Sequence, residues 1–166
     1  MAEEVLGKQF LQLAIETEKN GRQFYEKAAR RSKKTDVQDV FKRLAGREKE
    51  HENTFKDMLG RLSGRRSVSM AGGDYQYIKY LADSLITDND RSQFPKTKTT
   101  RTDIEAMETG VGLEKDCILF YSEVRGMLPR PDQNIVDMII SEEKSHLSEL
   151  SVLLGRLRSG LQTVKG

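Results

Sequence analysis

Glu48-Lys49-Glu50-His51 and Glu143-Lys144-Ser145-His146 are two copies of one short word, and between them they hold the only two histidines among 166 residues. On an α-helix, residues i and i+3 point the same way, so each word sets a carboxylate beside an imidazole. The second word follows the first by 95 residues. Two further glutamates repeat at almost the same interval. Glu18 opens the stretch Glu-Lys-Asn-Gly-Arg-Gln-Phe-Tyr and Glu114 opens Glu-Lys-Asp-Cys-Ile-Leu-Phe-Tyr, 96 residues later, the same separation as Tyr25 and Tyr121. The chain reads as one helical hairpin written twice.

Apolar spacing supports that reading. Leu11, Ala14, Gly21, Tyr25 and Ala28 recur at steps of three, four or seven, which predicts a first helix over about 4–31 with Glu18 on its apolar stripe. A second helix, with Thr35 or Asp36 as its cap, runs to about residue 62 on the stripe Val37, Phe41, Leu44, Glu48, His51, Phe55, Met58 and Leu62. A third covers about 103–127, with Met107, Val111, Glu114, Ile118 and Tyr121 inward. After Pro129 and Pro131, a fourth is capped by Asp132. It carries Val136, Ile139, Glu143, His146, Leu150, Leu153 and Leu157 and frays at Gly155 and Gly160, near residue 158. Residues 63–102 have no counterpart in the repeat. About 75–86 suits a short helix, and so long a connection suits a crossing from one end of a bundle to the other. The expected architecture is all-α: a single domain over 1–166, a four-helix bundle of two hairpins (about 4–62 and 103–158) joined by a long crossover.

Composition narrows the function classes. Charged residues make up 33% and hydrophobic ones 36%, which suits long helices with solvated faces around one core. A net charge of +2 gives no footing for nucleic acid. The basic clusters at Arg61–Arg66 and Lys96–Arg101 read as solvated loop charge. No apolar run nears the ~20 residues that span a bilayer, and the acidic start Met1-Ala2-Glu3-Glu4 is no signal peptide. One cysteine excludes an internal disulfide framework and fits a reducing cytoplasm.

A lone Glu-x-x-His on a helix is usually surface decoration, and a lone tyrosine on an apolar face is usually packing. The combination is different. Four helices each place one carboxylate inward, two add an imidazole one turn along, and hydrophobes would fill those positions at lower cost. Two divalent cations account for the set: four carboxylates and two such ions sum to zero charge. Hard oxygen with intermediate nitrogen suits iron or manganese, with zinc able to enter as an inert substitute.

The chain also resembles the ferritin-like di-iron carboxylate superfamily, in its rubrerythrin-like branch. The likeness rests on Ala14-Ile15-Glu16-Thr17-Glu18 through Phe24-Tyr25, Arg47-Glu48-Lys49-Glu50-His51, Leu113-Glu114-Lys115-Asp116 through Phe120-Tyr121, and Glu142-Glu143-Lys144-Ser145-His146. It implies Glu48 and Glu143 as bridging ligands, Glu18, Glu114, His51 and His146 as terminal ones, and Tyr25 and Tyr121 as donors that orient carboxylates. It implies a di-iron oxidoreductase that reduces peroxide or dioxygen. Iron-binding or ferroxidase-type metal handling, or a purely structural metal site, are the alternatives. The sequence departs from full rubrerythrins in two respects. They carry a rubredoxin domain with four iron-binding cysteines, whereas Cys117 stands alone here, so electrons must come from an external donor protein. They also carry a second glutamate one turn from the first on the third helix, where this chain has Val111 and Cys117. Cys117, three residues after Glu114, is expected near the site as a small buried hydrophobe. A homodimer is compatible with this reading, and no membrane span or nucleic acid enters it.

Overall fold

The computed structural model describes residues 2–62, 76, 77, 80, 102–126 and 128–162. Four long helices carry them: α1 (Ala2–Arg31), α2 (Thr35–Leu62), α3 (Asp103–Arg125) and α4 (Arg130–Gln162). No strand occurs among the described residues. The short helix expected over about 75–86 falls mostly outside them, although residues 76, 77 and 80 are helical.

Local chemistry sets the turns. Between α1 and α2, the Ser32 hydroxyl accepts from the Lys34 amide at 3.1 Å, and the Gln38 side chain donates to the Ser32 carbonyl at 2.7 Å. Thr102 caps α3 by accepting from the Glu105 amide at 3.1 Å. Between α3 and α4, Gln133 closes the turn by donating to the Leu128 carbonyl at 2.8 Å. The Arg125 guanidinium grips Asp137 through two nitrogens, one of them at 2.7 Å.

Three boundaries differ from the sequence reading. Helix α4 starts at Arg130 rather than after Asp132, with Pro131 in its first turn, where a missing amide hydrogen costs nothing. Asp132 is buried there, 3.6 Å from Arg61. Helix α3 stops at Arg125. The end of α4 does not fray near 158. Both glycines face solvent while Leu153, Leu154 and Leu157 are buried, so packing outweighs the ~1 kcal/mol penalty of each helical glycine. The inward stripe of α3 is also shifted: Gly110 and Cys117 are buried, whereas Val111 and Ile118 are only half-buried.

The core falls into two apolar halves. One gathers Phe10, Leu11 and Ala14 of α1, Phe55 and Met58 of α2, Phe120, Tyr121 and Val124 of α3, and Val136, Ile139 and Ile140 of α4. The other gathers Phe24, Tyr25, Ala28 and Ala29 of α1, Val37, Val40, Phe41, Leu44 and Ala45 of α2, Ala106 and Met107 of α3, and Leu150, Leu153, Leu154 and Leu157 of α4. The first half thus holds the starts of α1 and α4 and the ends of α2 and α3. Helices α1 and α4 therefore run one way and α2 and α3 the other. The chain must travel the length of the bundle between α2 and α3, as the long connection predicts. Each hairpin packs most closely within itself, and α1 meets α3 and α2 meets α4 across the seam. This is a ferritin-like four-helix bundle. No described helix is long and apolar enough to cross a membrane.

Gly110 is the point of closest approach. A Cβ there would lie 3.1 Å from Leu150 Cδ1 and 3.3 Å from Tyr25 Cε1, and the Tyr25 ring is already stacked on Phe41 at 5.8 Å. At Gly112 a Cβ would meet nothing within 4 Å. Gly112→Ala should therefore stabilise the fold by about 0.5–1 kcal/mol through the helical backbone alone. Gly110→Ala should lose that gain and become net destabilising, because the pinned ring cannot yield. Urea melts of the two variants give the comparison, and equal stabilisation by both would show the contact to be slack.

Candidate metal centre

Between the two apolar halves lies a polar layer. Helix α1 contributes Glu18, α2 Glu48 and His51, α3 Glu114, and α4 Glu143 and His146; none is more than 7% exposed. Each sits on an apolar stripe, so the packing that drives the helices together also carries these groups inside. They form two sets of four whose ligand atoms lie within 4.8 Å of one another: Glu18, Glu48, His51 and Glu143, and Glu48, Glu114, Glu143 and His146. Glu48 and Glu143 belong to both.

The shared carboxylates face both ways. His51 Nδ1 lies 3.0 Å from Glu143 Oε1 and 3.9 Å from Glu48 Oε2. His146 Nδ1 lies 3.0 Å from Glu143 Oε2 and 3.8 Å from Glu48 Oε1. The unshared glutamates complete the sets, Glu18 Oε2 at 3.6 Å from His51 and Glu114 Oε2 at 3.8 Å from His146. The imidazoles are nearly parallel, their centroids 5.9 Å apart. The tyrosines cross between the hairpins. Tyr25 of α1 donates to Glu114 Oε1 at 2.5 Å, and Tyr121 of α3 donates to Glu18 Oε1. All six candidate ligands and both candidate tyrosine donors are thus brought together, with Cys117 buried and close enough for the carboxylates to influence its thiol.

A family model described as Rubrerythrin matches residues 9–154. This chain belongs to the rubrerythrin family. That family is a ferritin-like di-iron carboxylate family, and the 166 residues hold a single cysteine, so they contain no four-cysteine rubredoxin site. Comparison with curated proteins and with solved structures gives no match.

The donor chemistry of this layer fits a pair of metal ions. Six buried side-chain polar atoms among the described residues have no hydrogen-bond partner, and four of them are Glu18 Oε2, Glu48 Oε1, His51 Nδ1 and Glu143 Oε1. Leaving such atoms bare costs ~1–3 kcal/mol each, more when charged, and bound cations would satisfy all four.

Electrostatics point the same way. Burial pushes the Glu18 and Glu48 carboxyls well above the ordinary range, and the charge of Glu143 adds to it. Burial and Glu143 raise Glu114 to about 8. Glu143 is the exception: burial opposes its charge, but close contacts with His146 and His51 outweigh that and hold it near 2. Burial works against charge on the imidazoles too, yet contacts with Glu143 raise His51 to about 9, while Glu114 and Glu143 raise His146 to about 10. Without metal, the cluster therefore holds protons where a cation would otherwise sit. Burial and the neighbouring carboxylates keep Tyr25, Tyr121 and Cys117 protonated.

Two features escaped the sequence reading. His51 Nε2, the nitrogen turned away from the cluster, meets Glu142 Oε2 at 3.1 Å. Glu142 is one residue off the α4 stripe; it stands in the stretch that carries the resemblance, which assigns it no role. Gly21 does more than continue the α1 stripe: a Cβ there would stand 3.6 Å from Glu48 Cγ and Oε2.

These shifts fix the pH dependence of the metal-free protein. Glu18, Glu48, Glu114, His51 and His146 all bind protons more tightly folded than unfolded. Their contribution is complete below about 4.5 for the carboxyls and 6.5 for the imidazoles, and it is lost as pH rises through about 8, 9 and 10. Glu143 contributes in the opposite sense, above about 4.5, and is lost only as pH falls towards 2. Chelator-treated protein should thus show a Tm that falls between pH 5 and pH 9 in scanning calorimetry. Divalent metal should restore most of the loss at the alkaline end, where protons no longer compete. A metal-free Tm that rose over that interval would contradict the cluster's charge state.

Proposed function

We propose that this rubrerythrin-family bundle is a di-iron or dimanganese oxidoreductase that reduces peroxide or dioxygen with electrons from an external donor protein. The observation that carries the reading is the pair of overlapping four-ligand sets, joined by Glu48 and Glu143 and buried between apolar halves. In this reading Glu48 and Glu143, which belong to both sets, would serve both ions, while Glu18 with His51 and Glu114 with His146 would each hold one. A pair of ferrous ions, when bound there, would supply the two electrons that reduction of an O–O bond requires, the accompanying protons coming from solvent.

The chain's own residues do the rest. Four carboxylates neutralise the ions, so the loaded layer is uncharged and tolerable in a core. Tyr25 and Tyr121 donate to the individual carboxylates from the opposite hairpin and hold their orientation, which tunes what those carboxylates present to the ions. Their hydroxyls stay protonated, so the donation persists across the physiological range. The apolar halves above and below keep bulk water from the layer. Nothing else in the sequence resembles a redox centre, and the lone Cys117 is a buried thiol. In this reading the electrons therefore come from an external donor protein, in a reducing cytoplasmic setting.

Elemental analysis of protein purified anaerobically from its native host should find about two ions per chain, iron or manganese, as two four-ligand sets require. Glu48→Ala or Glu143→Ala should deplete both ions, whereas Glu18→Ala should deplete mainly one. Stopped-flow mixing of the di-ferrous protein with hydrogen peroxide should show rapid oxidation, retained in Cys117→Ser, with sustained turnover only when a reductant is added. No more than one ion per chain would end the assignment. A fully loaded protein inert to both peroxide and dioxygen would leave a storage or structural role.

A further inference from the structure

The repeat that builds the site breaks at one position behind its imidazoles. Glu143 and His146 correspond to Glu48 and His51, each pair 95 residues apart, so Glu142 corresponds to Arg47. The consequences for the two imidazoles differ. Both turn Nδ1 to the carboxylate layer, which leaves Nε2–H as the outward donor of each neutral ring. For His51 that donor meets Glu142 Oε2 at 3.1 Å. For His146 no carboxylate meets it among the described residues, and the equivalent position holds a guanidinium, which has no lone pair to accept with. Arg47 instead bonds Glu50 at 2.8 Å.

Access to the two rings differs as well. His146 lines a cleft of about 360 Å³ between α2 and α4, rimmed by Arg43, Arg47, Glu142 and Glu149, with Arg43 and Glu149 paired across it. Both imidazoles are buried, 3% and 7% exposed, but His51 is not among the residues lining that cleft.

We propose that the two metal positions are inequivalent: the ion held by His51 binds first and tightly because Glu142 anchors that imidazole, and the ion held by His146 is the exchangeable one, entering and leaving through the Arg43–Glu149 cleft. This rests on the ligand assignment proposed above. The physical reason is that a carboxylate behind a ligating imidazole fixes its orientation and tautomer and raises the basicity of the ligating nitrogen. Loss of such a partner typically costs 10–100-fold in metal affinity. Glu142 is a positioning residue: it acts on the ion only through His51.

The test uses cobalt(II) as the probe on metal-free full-length protein, followed by calorimetry and by ligand-field absorption. Wild type should take up two ions in resolved steps separated by about tenfold or more. His51→Ala should abolish the tighter step, and His146→Ala should keep it. Glu142→Gln, isosteric and partly exposed, should weaken the tighter step by about 10–100-fold and leave the other in place. Arg47→Glu, which offers His146 the missing carboxylate, should tighten the weaker step. Proton NMR of the cobalt form adds a readout that a merely structural role would not move. Of the two hyperfine-shifted imidazole N–H signals, the His51 signal should exchange slowly with water, and in Glu142→Ala it should exchange as fast as that of His146. Two indistinguishable steps in the wild type, or a tighter step untouched by Glu142→Gln, would overturn the inequivalence while leaving the two-ion site standing. Saturation at a single cobalt ion would overturn the two-ion reading and the inequivalence with it.

Discussion

Four carboxylates buried in a helical core are the constraint on which the rest of this bundle depends. Charges of like sign so placed repel one another and lose their hydration, and without a metal they persist by holding protons on the carboxyls themselves or on the imidazoles beside them. Everything around them answers that problem. The apolar halves on either side supply the burial free energy that holds the helices closed over the layer. The tyrosines give two of the carboxylates a donor from the opposite hairpin. The imidazoles sit against the shared pair. A polar layer of this kind specifies alignment as well, because sliding one hairpin along the other would set carboxylates against hydrophobes.

The candidate centre was legible because its residues occupy positions where polar groups are anomalous. Glu48 and His51 interrupt a stripe running from Val37 to Met58, and Glu143 and His146 interrupt one running from Val136 to Leu157. The structure buries all four. The fold followed from the same stripes and from the length of the unrepeated connection. What sequence could not supply was the rotation of α3. Helical spacing of three and four leaves adjacent residues nearly equivalent, and close approach at Gly110 decided between them. Helix ends were misplaced where tertiary burial overrode local breakers, as at Gly155 and Gly160. Glu142 was hidden because its role depends on a ring from another helix, and no periodicity within α4 marks it.

The repeat is faithful at the clustered carboxylates and imidazoles and loose one position away. Gly21 and Cys117 are 96 residues apart and occupy equivalent places beside Glu18 and Glu114. The first leaves room against Glu48, and the second fills its place with a thiol that burial keeps protonated. Full rubrerythrins resemble one another in a further glutamate one turn along the third helix. Here Val111 and Cys117 flank Glu114, and among the described residues the clustered donors are four carboxylates and two imidazoles. Asymmetry in this chain therefore comes from what surrounds the ligands rather than from the ligands themselves.

Each four-ligand set takes three side chains from one hairpin and one from the other: Glu18, Glu48 and His51 with Glu143, and Glu114, Glu143 and His146 with Glu48. The donor set thus has approximate dyad symmetry, with the axis passing between the two shared carboxylates. An arrangement of that kind does not need both halves on one polypeptide. Two identical half-length chains, each folding as a single hairpin, would lend one another the fourth ligand in the same way. The present protein has the ligand geometry expected of such a pair after duplication and fusion of its coding sequence.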